Sequence, residues 1–310
     1  MSILADPAIT SFLENHADHR FPGAPIAVFD CDGTVIKGDV GEAMLYYQIE
    51  NFCFKVSPAE VWPDHPKRGV LDTLFNRLSA LESPLRTHNP DYGEFADMVV
   101  SWYVDQIAEG NVEKACANIV QLLAGFTLDE VRDISENNLK HELHSPAGER
   151  AHWRRKLPQG IRFIRESVQL ISALKKRGFQ IWAVSGSNKW SVEPVFRKLG
   201  VPPERVIGIE LASRNGVFTS EVLEPIPIRS KKVDALRQRQ KDIPLLVASD
   251  SRNDIPLFKY ASALRILVNS RKRSTDIFFS SGEIARDATW VIIEHPTVES
   301  EDAALWQTYQ

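Results

Sequence analysis

The chain has 310 residues, 43% of them apolar, which is enough for a sizeable core, and a formal net charge of −4 at pH 7. Lys and Arg are spread along it, with short runs only at Arg154-Arg155-Lys156 and Arg271-Lys272-Arg273. This argues against a nucleic-acid partner, and no apolar run approaches the roughly 20 residues that span a membrane.

Three widely spaced cysteines, Cys31, Cys53 and Cys116, form neither a disulfide framework nor a zinc pattern. The opening M-S-I-L-A-D-P has no basic stretch followed by an apolar one. A soluble cytoplasmic protein is the expectation.

Residues 7–20 predict an amphipathic helix with Ile9, Phe12 and Leu13 on one face, broken by Phe21-Pro22-Gly23-Ala24-Pro25. Then comes Ile26-Ala27-Val28-Phe29, ending abruptly in Asp30-Cys31-Asp32-Gly33-Thr34. A short apolar run bounded by turn chemistry reads as a buried parallel strand. In open α/β sheets, ligands bind beyond the carboxyl ends of the strands. Asp30 and Asp32 therefore stand where chemistry would occur, or else form an acidic turn. Two such close carboxylates need a proton or a cation between them, and a hard, oxygen-seeking ion such as Mg²⁺ suits. Cys31, between them, should point the other way, into the core.

From 40 to 157 no buried strand is evident. Helical spacing predicts helices near 70–81, 95–107, 112–123 and 128–139, with Thr127 and Glu130 forming a capping box. After 158 the pattern alternates. A helix face through Ile161, Ile164, Val168, Ile171 and Leu174 is followed by apolar strands near 181–184, 206–209, 245–248, 264–268 and 290–293. Alternation of this kind predicts an α/β fold, a doubly wound, Rossmann-like parallel sheet with helices on both faces. The core would comprise 1–39 and 158–310, and 40–157 would be a helical cap inserted after the first strand.

Further polar groups fall at strand ends and helix starts. Ser185-Gly186-Ser187-Asn188 follows the second strand; the Ser185 hydroxyl and the amides near Gly186 suit an anion, as does the Thr34 hydroxyl. Asp250 is the first acid beyond the 245–248 strand, and Asn253 and Asp254 follow at a helix start, where they could support a metal shell or cap the helix. Lys231 or Lys232, at the start of another helix, could neutralise phosphate charge.

Taken together and in this order, Asp-x-Asp-Gly-Thr, the strand-end Ser, the helix-start Lys and Ser-Asp-x-x-Asn-Asp resemble the haloacid dehalogenase superfamily. The resemblance covers about 24–39 and 158–293. It implies Mg²⁺ dependence and an aspartyl-phosphate intermediate. Asp30 would be the nucleophile and Asp32 the general acid and base. Asp30, the backbone carbonyl of Asp32 and Asp250 would hold Mg²⁺. Thr34, Ser185, Gly186 and Lys232 (or Lys231) would contact phosphate. A second aspartate in the first motif points to phosphate-ester hydrolysis.

The position of the insert, with Gly38-Asp39 ending the loop, resembles the phosphoserine phosphatase-like branch, and Asp39 would lie near a substrate ammonium. Ile119 stands where that branch carries a carboxylate-binding arginine. A closer pattern, through Ser101-Trp102-Tyr103-Val104, Gly125-Phe126-Thr127-Leu128 and Trp290-Val291-Ile292, is that of phosphorylcholine phosphatases. There Trp102 and Tyr103 would hold a quaternary ammonium group or simply pack the cap. A phosphatase of a small amino-alcohol phosphate is the leading expectation; a phosphoserine phosphatase and a catalytically silent binding protein are the rivals. His141-Glu142-Leu143-His144 has the wrong spacing for a zinc-binding H-E-x-x-H. Trp62, Trp153 and Trp190 are expected to pack the core or hinge.

Overall fold

A computed structural model of the chain describes residues 2–16, 24–152, 154–270, 275–280 and 282–298. The end of the first predicted helix, Trp153 and the run Arg271-Lys272-Arg273 lie outside the described residues. The expected apolar runs form β1 (Ile26–Phe29), β2 (Gln180–Asn188), β3 (Val206–Ile209), β4 (Leu246–Ser249), β5 (Leu264–Val268) and β6 (Trp290–Ile293). All six lie parallel in one sheet, in the order β6-β5-β4-β1-β2-β3. Val28 of β1 pairs with Val247 on one side and Trp182 on the other. The chain runs outward from β1 to β2 and β3, then returns to β4 on the opposite side of β1. This reversal creates a switch-point crevice beyond the ends of β1 and β4.

The helices, in chain order, are α1 (Pro7–Asn15), α2 (Val40–Asn51), α3 (Pro58–Val61), α4 (Arg68–Ser79), α5 (Ser83–Thr87), α6 (Pro90–Ala108), α7 (Val112–Gln121), α8 (Leu128–His144), α9 (Arg165–Lys176), α10 (Lys189–Lys198), α11 (Lys231–Arg239), α12 (Ile255–Tyr260) and α13 (Thr275–Phe279). Successive β1 side chains enter opposite layers. Ala27 and Phe29 pack with Ile9 and Phe12 of α1, Val168 and Ile171 of α9, and Val195 and Phe196 of α10. Ile26 and Val28 pack with Leu236 of α11 and Leu257 and Phe258 of α12. Full burial of each large apolar side chain contributes roughly 1.5–3 kcal/mol, so a short, wholly apolar strand is stable only in this covered position.

Helices α2–α4 and α6–α8 pack around a second cluster through Met44, Leu45, Val61, Leu71, Leu74, Phe95, Val99, Val120 and Val131. The expected capping box opens α8: Thr127 Oγ1 accepts from the Glu130 amide at 3.3 Å and Glu130 Oε2 accepts from the Thr127 amide at 2.9 Å. Trp62 and Trp190 are buried in this cluster, Trp62 donating to the Asn118 carbonyl at 2.9 Å.

Three antiparallel pairs were not foreseen. Gly148–His152 pairs with Arg155–Gln159 at the end of the stretch in which no buried strand was expected. Its residues are mostly charged or polar and largely exposed, so no apolar run marks it. Leu211–Arg214 pairs with Val217–Val222, and Phe218 of this hairpin joins the insert's cluster against Trp190. Ile36–Lys37 pairs with Arg162–Phe163, tying together the two crossings between sheet and insert.

Candidate active site

The turn after β1 is wound tightly. The amides of Thr34, Val35 and Ile36 all donate to the Cys31 carbonyl, and the Gly33 amide donates to Ile36 O at 2.8 Å. Gly33 has φ 77°, and a β-carbon there would lie 2.4 Å from Asp250 Oδ2. Only glycine permits both this turn and the approach of the β4 loop. The Cys31 side chain is buried in the core, as its position between the aspartates predicts. Thr34 is also fully buried, and its hydroxyl does not line the cavity described below.

Asp32 is buried and held from two sides. Its Oδ1 accepts from the Val40 amide at 2.8 Å, and its Oδ2 accepts from Ser187 Oγ at 2.7 Å and Ser185 Oγ at 3.2 Å. Burial, with the charge of Asp39, raises its carboxyl to about 7 despite these three donors. Ser187 was missed from the sequence. It lies two residues after Ser185 on an extended strand, so both point to one face, and that period-two spacing was the available signal.

Lys232, at the start of α11, is buried between two acids. Its Nζ donates to Asp30 Oδ1 at 2.9 Å and to Asp254 Oδ2 at 2.8 Å. Burial alone would lower its pKa, but Asp254 and Asp30 hold it well above the ordinary value. Lys231, its neighbour, is instead bound to Glu113 at 2.7 Å and Glu224 at 3.3 Å. Direction around the helix thus puts Lys232, not Lys231, beside Asp30. Asp254 also accepts from Ser249 Oγ, the last residue of β4. Its Oδ1 is buried without a hydrogen bond among the described residues.

Burial pushes the Asp30 carboxyl well above its usual range; Lys232 pulls it down, while Asp254, Asp250 and Asp32 repel it further. Among the described residues Lys232 is the cation that Asp30 and Asp254 share, and Asp250 and Asp32 add further acid beside them. This fits a cation such as Mg²⁺. Among the described residues no three His, Cys, Asp or Glu side chains gather as a metal cluster. Mg²⁺ keeps several waters and needs only one or two carboxylates, so Asp30 and Asp250 are a sufficient side-chain set.

These groups open into a cavity of about 140 Å³. Asp30, Asp32, Gly186, Ser187, Lys232, Asp250, Asn253 and Asp254 line its floor. Its walls include Asp39, Tyr103, Ile228, Arg229 and one face of α7, namely Val112, Cys116 and Ile119. Asp39 caps α2, accepting from the Glu42 amide at 2.9 Å, and Tyr103 donates to Glu42 Oε1 at 2.9 Å. The structure separates the two cap aromatics expected to act together. Tyr103 lines the cavity, whereas Trp102 faces a different groove beside His65 and Met98. Successive helical residues point about 100° apart, which suffices to divide them. Arg229 was also missed, and no sequence pattern marks it.

The family model for haloacid dehalogenase-like hydrolases matches residues 72–259. The match starts downstream of Asp30 and Asp32, so those two residues enter through geometry. No curated protein matches the chain significantly. Among solved structures, a protein of unknown function from Anaerococcus prevotii DSM 20548 aligns at a TM-score of 0.68 and 19% identity, over 84% of this chain and 85% of that one. Another of unknown function, from Bordetella pertussis Tohama I, aligns at 0.55 and 16% identity, over 87% and 98%. A substrate-bound phosphoserine phosphatase complex aligns at 0.45 and 16% identity, over 93% and 99%. At these identities the first two likenesses speak to the fold alone.

Proposed function

The chain belongs to the haloacid dehalogenase-like hydrolases, and on that premise we propose that it is a Mg²⁺-dependent phosphomonoester hydrolase acting on a small metabolite. The observation that carries this reading is the division of labour beyond β1. Asp30 is bonded to a buried lysine, while Asp32, two residues on, is held by hydroxyls with its carboxyl near 7. In this reading Asp30 attacks phosphorus and the ester P–O bond breaks, leaving an aspartyl phosphate. Asp32 gives its proton to the departing alcohol oxygen. The ionised Asp32 then takes a proton from water as the water oxygen attacks phosphorus and the bond to Asp30 breaks. Inorganic phosphate leaves, and both carboxyls return to their starting states.

Lys232 offsets charge on the phosphoryl oxygens, and the Ser185 hydroxyl, free to rotate, turns from Asp32 to one of them. Asp30, the Asp32 backbone carbonyl and Asp250 would hold Mg²⁺, with Asn253 and Asp254 behind them. When bound, the ion supplies further positive charge to the transferring group. In the same proposal 1–39 and 158–310 form the catalytic core and 40–157 a cap that excludes water during transfer. A cytoplasmic setting, from the spacing of the cysteines, belongs to it as well.

For the leaving alcohol, Asp39 and Tyr103 make the wall acidic and aromatic, which suits an ammonium group. Phosphorylcholine or a related amino-alcohol phosphate is our leading substrate, held over one ring, Tyr103, rather than two. Phosphoserine is the second reading. Ile119 of α7 lines the cavity and offers no donor to a carboxylate.

The test is hydrolysis of p-nitrophenyl phosphate. Mg²⁺-dependent turnover that vanishes in Asp30→Asn supports the reading. No turnover by the wild-type chain with Mg²⁺ between pH 5 and 9 overturns it in favour of a silent binding protein.

A further inference from the structure

Among the described residues lining the cavity, two carry a permanent positive charge, Lys232 and Arg229. Lys232 is committed to Asp30 and Asp254. Arg229, exposed at the rim, makes no ion pair among the described residues. Glu113 of α7 and Glu224 of the preceding loop are engaged by Lys231.

Arg229 also has φ 55°, a left-handed conformation that a residue with a β-carbon seldom adopts. Its surroundings impose this. Ile226 and Ile228 before it are buried in the insert's cluster. Ile228 leans over the end of β2, where a β-carbon on Gly186 would lie 3.3 Å from Ile228 Cγ1. After it, the Lys232 amide donates to the Arg229 carbonyl at 3.2 Å. The rim arginine and the lysine beside Asp30 are thus tied to one stretch of backbone. An over-determined outlier at a ligand cavity is a reason to ask what it positions.

We propose that Arg229 is a specificity-determining residue that receives a carboxylate wherever the alcohol portion of the phosphate ester carries one. The inference rests on the phosphomonoesterase reading. A guanidinium presents paired donors that match a carboxylate, and it stays charged at any working pH. The facing wall of α7 is Val112, Cys116 and Ile119, which has no cation to compete for an anionic substituent. In a cavity of about 140 Å³ a carboxylate fits where a second phosphate would crowd.

The experiment compares esters that differ in one carboxylate: O-phosphoserine against phosphoethanolamine, and 3-phosphoglycerate against glycerol 3-phosphate. In the wild-type chain Arg229 raises the ratio of kcat/KM, carboxylate ester over its partner, within each pair. That ratio should fall at least about tenfold in Arg229→Ala, through KM, with Arg229→Lys retaining part of it. Arg229→Gly removes the guanidinium while accepting φ 55°, so it tests the same loss in a chain with no backbone conflict. An unmoved ratio in both truncations, or an equal loss on all four esters, overturns the role of Arg229. If p-nitrophenyl phosphate is also left uncut by the wild-type chain, the phosphatase reading itself fails.

Discussion

Asp32 accepts one amide and two hydroxyls, yet its carboxyl still sits near 7, against about 3.9 for an ordinary aspartate. A raised carboxyl means that the folded chain binds more protons than the unfolded one between those values. Its contribution to stability is full below about pH 4 and is lost as the pH rises through 7. The melting temperature of chelator-treated protein should therefore fall from pH 5 to pH 8, and Asp32→Asn should flatten that slope. A wild-type profile that rises over this range would count against the account. Ser187→Ala removes a 2.7 Å bond to the ionised carboxylate. It should raise the pKa of Asp32 further and move the corresponding limb of the kcat pH profile upward. Asp30→Asn, which lacks a nucleophile, should lower turnover by at least about a thousandfold. Gly33→Ala should be destabilising, since its β-carbon meets Asp250 and its φ is unfavourable; thermal melting reads this directly.

Side-chain direction matters as much at the scale of elements. Lys231 and Lys232 are adjacent on α11 but serve different partners, one tying α7 to the loop before α11, the other bracing Asp30. Lys232→Ala leaves two buried carboxylates without their counter-charge. Breaking such a pair costs about 3–5 kcal/mol, so both activity and melting temperature should drop. Lys231→Ala, at a half-exposed pair, should cost about 1 kcal/mol or less. On α6, Trp102→Ala should change kcat/KM less than about twofold, because the ring lies outside the cavity that holds Asp30. The hairpin 211–222 wedges Phe218 against Trp190, where the insert's core meets the sheet. Such mostly polar hairpins leave no long apolar run. The sequence reading therefore assigned six central strands and the main helices of the insert but left both hairpins unmarked.

For the molecule as a whole, the sheet order creates the site. β1 sits beside β4 because the chain reverses direction there, and the loops after both strands meet in the crevice. Added Mg²⁺ should raise the melting temperature, more at pH 8 than at pH 5, because ionised acids bind it and protonated ones do not. The amino-acid sequence by itself determined what depends on neighbours along the chain. The apolar runs that must be buried, the glycine turn carrying Asp30 and Asp32, the capping box of α8 and the order of polar groups at strand ends are of this kind. Tertiary structure alone decided which of these groups meet. Asp30 and Lys232 are 202 residues apart and touch only because β1 and α11 flank one crevice. Ser187 rather than Thr34 reaches the site, Trp102 turns away from it, and Arg229 stands at its rim. The physical reason is common to all four. A hydrogen bond or an ion pair requires partners within a few ångströms, and while local periodicity gives relative direction along one element, which directions meet is set by how distant elements pack.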